Sequence, residues 1–135
     1  MLTKEYISKL KLNGNGDLKA LLHQKSDDKS ILFILENLGH LPKNFDESWV
    51  VDLLNSQNKK IRLNAVKTLG KVKNDLYISK LLNIAKNDNV TEIRREAVSS
   101  IGRMRSKKAI PALIELLDDY DPKVVTQAIR RKSLA

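Results

Sequence analysis

A pattern of ten residues recurs along this chain at a spacing of 31 or 32, and that spacing constrains the fold more than any other feature. The fullest copies are Ile93-Arg94-Arg95-Glu96-Ala97-Val98-Ser99-Ser100-Ile101-Gly102 and Ile61-Arg62-Leu63-Asn64-Ala65-Val66-Lys67-Thr68-Leu69-Gly70, with closing glycines 32 residues apart. A weaker copy, Ser30 to Gly39, closes 31 residues before Gly70, and Val124-Val125-Thr126-Gln127-Ala128-Ile129 opens 31 residues after Ile93. A fixed period of this size is the mark of stacked supersecondary units, each unable to bury its apolar face alone.

Within each unit the apolar residues fall at helical spacing. Ile61, Ala65, Val66 and Leu69 share one face, as do Ile93, Ala97, Val98 and Ile101, and Ile78, Leu81, Leu82 and Ala85 do so in a second helix. Each unit therefore reads as two helices. The first starts after Asp27 or Asp28, Asn58, Asn89 to Thr91, and Asp121-Pro122. It is expected to stop at Gly39, Gly70 or Gly102. The second helices are expected near 46–55, 75–86 and 108–118, capped by Asp46, Asn74 and Ser106. Pro111 must lie in a first turn, so the last of these starts no earlier than about Lys107. No segment reads as a strand.

Residues 1–26 stand outside the period. Leu2, Tyr6, Ile7 and Leu10 recur at helical spacing, Asn13-Gly14-Asn15-Gly16 stops that helix, and Asp17 caps a short one over Leu18 to His23. The predicted organisation is an N-terminal helical cap, 1–26, then repeats at 27–57, 58–89 and 90–120. Residues 121–135 supply the first helix of a fourth, incomplete repeat. Because Val124, Val125, Ala128 and Ile129 still carry the repeat pattern, the chain is expected to be the N-terminal module of a longer protein.

These residues resemble HEAT repeats. The resemblance rests on Asp121-Pro122-Lys123-Val124-Val125, on the Ile-Arg…Ala-Val…Ile-Gly order, and on Ala109-Ile110-Pro111-Ala112-Leu113-Ile114-Glu115-Leu116-Leu117. It is closest to the short variety first named for phycobilin lyases, covers roughly 27–135, and is fullest at 90–120. It implies an all-α, right-handed superhelix of helix pairs with a concave groove. Members of the family bind proteins; some bind DNA or act in tetrapyrrole attachment. It also implies that Arg62 and Arg94 join a ladder of polar contacts between repeats. Val125 replaces the third Arg, and Asn58 stands where Asp is typical. The N-terminal stretch is similar to leader segments of bacterial DNA restriction or modification proteins.

Catalytic chemistry finds little footing. His23 and His40 lie far apart, and no metalloprotease helix, phosphate-cradling glycine loop or nucleophile elbow is present. Asp118, Asp119 and Asp121 lack the glycine and terminal Glu of a calcium loop and read as turn and cap residues. With no Cys there are no disulfides and no thiolate sites. Phe33 and Trp49 read as core of the first repeat, although with Phe45 they could line a pocket. No enzyme activity, cofactor, metal or small-molecule substrate is therefore expected. The longest apolar run, Ile31 to Leu35, is far too short to cross a membrane, and no apolar signal core follows Met1. A cytoplasmic protein is expected.

The net charge is +9, and its placement matters more than its size. The loops within repeats carry His40 and Lys43, then Lys71 and Lys73, then Arg103, Arg105, Lys107 and Lys108. The loops between repeats carry Asn55 to Asn58, then Asn87 to Asn89, then Asp118, Asp119 and Asp121. Stacking would place the cations along one edge. Two readings stand: a solvated edge, or a row that neutralises successive phosphates, with the helix after Lys107 and Lys108 offering backbone N–H groups. The candidate anion-binding set is Lys71, Lys73, Arg103, Arg105, Lys107 and Lys108. No aromatic residue interleaves with it, which favours duplex backbone over stacked single strands. The function expected first is a non-catalytic scaffold recognising another protein. The alternatives are a DNA-backbone-binding module, possibly serving a restriction or modification enzyme, and a bilin-lyase-like tetrapyrrole-handling protein.

Overall fold

The computed structural model describes residues 2–13 and 16–118. The fourth-repeat helix expected at 121–135, with Asp119 and Asp121, lies outside the described residues. Among those described, all regular structure is helical. The chain divides into two compact units, Met1–Ala65 and Val66–Ala135.

The first unit contains α1 (Lys4–Asn13), α2 (Asp17–Gln24), α3 (Asp28–Glu36), α4 (Ser48–Leu53) and the start of α5 (Lys59–Val72). Asp27 caps α3 by accepting the Ser30 N–H at 3.1 Å. Asp46 accepts the Ser48 N–H at the start of α4. Asn58 Oδ1 accepts from the N–H groups of Lys60 (2.9 Å) and Ile61 (3.2 Å), satisfying two of the donors that a helix start leaves orphaned. Asp17 does not cap α2 as expected: it is the first helical residue, and Gly16, left-handed at φ +83°, holds the cap position. The core comprises Ile7, Leu18, Leu21, Ile31, Ile34, Leu35, Leu38, Phe45, Trp49, Val50, Leu54, Ile61 and Ala65. Phe33 is not in it. It sits about 200° around α3 from both Ile31 and Leu35, and is exposed. Lys11 reaches back from α1 to donate to the Leu38 carbonyl at 2.8 Å, so this cation ties the expected cap to the end of α3.

The second unit continues α5. A 3-10 turn (Asp75–Tyr77) leads into α6 (Ile78–Asn87); then come α7 (Thr91–Arg103), α8 (Ala109–Glu115) and a 3-10 turn (Leu116–Asp118). Asn74 and Ser106 accept the N–H groups of Leu76 and Lys108, respectively, before the second helices. α6 packs on α7 and α8, and α7 on α8. The predicted faces are buried: Val66 and Leu69 on α5, Ile93, Ala97, Val98 and Ile101 on α7, and Ile78, Leu81 and Ala85 on α6, with Leu82 half-buried.

Two expected helix stops are overturned. α5 passes through Gly70 to Val72, and α7 passes through Gly102 to Arg103. Gly70 serves close approach instead. A Cβ there would stand 2.8 Å from both Cβ and Oγ of Ser100 and 3.1 Å from the Arg103 guanidinium. Ser100 Oγ, fully buried, donates to the Val66 carbonyl at 3.1 Å. Just past the ends of α5 and α7, Lys73 (φ +59°) and Arg105 (φ +54°) take the left-handed conformation, whereas α3 already ends at Glu36, before its expected stop at Gly39 (φ +61°).

Candidate macromolecular interface

The contacts Val66–Ser100, Gly70–Ser100 and Gly70–Arg103 advance together along α5 and α7. These helices therefore run side by side in the same direction, and their C-terminal ends share one edge of the second unit. Lys71 and Lys73 leave from one end, Arg105, Lys107 and Lys108 from the other, and all five are exposed. Arg103 behaves differently. It is half-buried, donates to Ser100 Oγ at 2.9 Å and faces a Glu96 carboxylate oxygen at 3.6 Å. Its buried Nε has no hydrogen-bond partner. Of the six candidates, then, five are exposed and one is folded back against α7.

Lys73 and Arg105 are the two non-glycine residues with positive φ among those described, and they are 32 residues apart. The left-handed conformation costs an L-residue about 1–2 kcal/mol. The earlier turn puts Gly39 in that conformation, with nothing within 4 Å of where its Cβ would be. No letter in the sequence marks these two positions, and Gly39 lies 34 residues before Lys73, off the 31- or 32-residue period.

Lys107 and Lys108 precede α8 without offering it a free anion cradle. The Lys108 N–H is taken by Ser106 Oγ at 3.1 Å, and the next two N–H groups bond the carbonyls of Ser106 and Lys107.

Arg62 and Arg94 make one shared contact. Arg62 donates to the carbonyl of Ser56 at 2.9 Å, and Arg94 to that of Asp88 at 2.7 Å, in each case six residues upstream. Arg62 also reaches the Gln57 carbonyl, and Arg94 the Thr91 hydroxyl. Ser56 Oγ and Asp88 Oδ1 each accept the N–H two residues on, so the same small loop is built twice. Each Arg clasps the loop leading into its own helix. A side-chain link at ladder spacing comes from Asn58, whose Nδ2 donates to Asp28 at 3.0 Å.

The remaining candidates separate. His23 and His40 are exposed, and no group of His, Cys, Asp or Glu suited to a metal occurs among the described residues. Phe45 and Trp49 are buried edge to face, centroids 6.0 Å apart at 66°. They border a hollow of about 20 Å³, room for about one water molecule. Phe33 does not line it. No described helix is long and apolar enough to cross a membrane.

The sequence does not announce the open face of α8. Ile110, Ile114 and Leu117 are 38%, 55% and 39% exposed at i, i+4 and i+7. Their counterparts 32 residues earlier are Ile78 and Ala85, both buried, and half-buried Leu82. The spacing was visible, but it matched the pattern of a core face.

A family model described as HEAT repeats matches residues 17–99 and again 78–133. No curated protein and no solved structure matches the chain.

Proposed function

That the chain belongs to the HEAT-repeat family, and so to the all-α solenoid class, is the premise from which we propose that it is a non-catalytic scaffold recognising another protein. The partner presents a helix with an apolar face. What supports this reading is the open face of α8. Ile78 and Ala85, the side chains on α6 equivalent to Ile110 and Leu117, are buried in a unit where α7 and α8 pack on that helix, so the natural cover for this face is helical. Contiguous exposed apolar residues of this kind mark interaction surfaces.

The test compares the chain with an Ile110→Glu/Ile114→Glu variant as bait in nuclease-treated lysate of the source cell. Both positions are already exposed, so the fold should hold, as checked by circular dichroism. The expected result is a defined protein retained by the parent and lost by the variant. Equal retention by both would remove the α8 face from the function.

A further inference from the structure

We propose that the turn edge of the second unit binds the phosphate backbone of duplex nucleic acid through Lys71, Lys73, Arg105, Lys107 and Lys108. This surface goes beyond the protein-docking face of α8 and stands on different observations.

The first is convergence: parallel packing of α5 and α7 brings two cation-bearing turns to one edge. No Asp or Glu interrupts residues 71–74 or 103–108.

The second is that folding does not account for the charge. A helix C-terminus favours cations, which explains Lys71 and Arg103 in the last turns of α5 and α7. It does not explain Lys107 and Lys108, which stand before the N-terminus of α8, where the dipole opposes a cation. It does not explain Lys73 either, since glycine would take its backbone conformation without strain, as at Gly39. Strain held at equivalent positions points to use.

The third is the character of the surface. Its turns carry no aromatic residue on which a base could stack, so contacts fall on phosphates rather than unpaired bases. Phosphate contact without base contact means binding that is indifferent to sequence and steeply dependent on salt.

The test is fluorescence anisotropy of a labelled 20-base-pair duplex titrated with residues 1–135 across a salt series, with phosphatidylserine vesicles in parallel. Five phosphate contacts predict a log–log salt slope of up to about −4.5. A Lys107→Ser/Lys108→Ser variant should bind at least tenfold more weakly with an unchanged melting curve. Lys73→Gly should weaken binding yet raise the melting temperature, a split that a purely structural lysine would not show. Three results would overturn the proposal: no binding at low salt, equal affinity of both variants and parent, or binding to the vesicles with none to the duplex.

Discussion

Ser100 Cβ stands 2.8 Å from the point that a Cβ on Gly70 would occupy, so α5 and α7 meet there with room for one side chain. Gly70→Ala should gain about 1 kcal/mol of helix propensity and lose about 1–3 to overpacking, for a net loss. Gly70→Ala/Ser100→Gly should recover part of the difference. Urea denaturation of the double-mutant cycle measures this, and additive effects would mean the two residues do not meet.

Asn58 stands where the repeat pattern favours Asp, and its partner gives the reason. Asn58 Nδ2 donates to the Asp28 carboxylate at 3.0 Å while Oδ1 caps α5. Asn58→Asp should keep the cap but set two carboxylates against each other. It should therefore destabilise at pH 7 and low salt, and recover as salt rises. Asn58→Ala should lose about 1 kcal/mol with the cap. Thermal melts at two salt concentrations separate the variants.

Gly39 and Lys73 share a left-handed backbone, so substitutions there should have opposite signs. Gly39→Ala should destabilise by about 1 kcal/mol, and Lys73→Gly should stabilise by up to the same amount. Nothing lies within 4 Å of a Cβ at Gly39, so its cost would be conformational alone. Chemical denaturation of the two single variants reads both.

Two caps set an acid limit. Hydrogen bonds from the Ser30 hydroxyl and N–H hold the Asp27 carboxyl below its usual range, and the Ser48 N–H and hydroxyl do the same for Asp46. A depressed folded-state pKa contributes stability above the unfolded value, about 3.9, and loses it as pH falls through the folded value. Melting temperature should thus decline as pH falls below about 4. Asp27→Asn keeps an acceptor for the Ser30 N–H and should flatten the decline, which a melting series from pH 6 to pH 2 would record.

Much of this was legible in the letters. The period placed the helices, the aliphatic positions placed the buried faces, and Asp27, Asp46, Asn58, Asn74 and Ser106 carry out cap or turn bonds that their side chains announce. What escaped were properties of contact. Gly70 reads as a stop because glycine ends helices; that it faces Ser100 depends on how closely two helices approach. Lys73 and Arg105 have letters that any conformation accepts. Arg103 looked like one more exposed cation until Ser100 and Glu96 were placed beside it. Phe33 is of a core type, while its position on the wheel turns it outward.

The clasps of Arg62 and Arg94 have a consequence for how such a chain tolerates change. Each Arg grips a backbone carbonyl six residues upstream, and every amino acid supplies one. The grip is blind to side-chain identity and sensitive to length. Substitution at exposed Gln57 should pass almost unnoticed, whereas one inserted residue between Ser56 and Arg62 would put the carbonyl out of reach. The connection works as a spacer gauge: it holds the count of residues entering each helix and leaves their identities open to drift or to redesign.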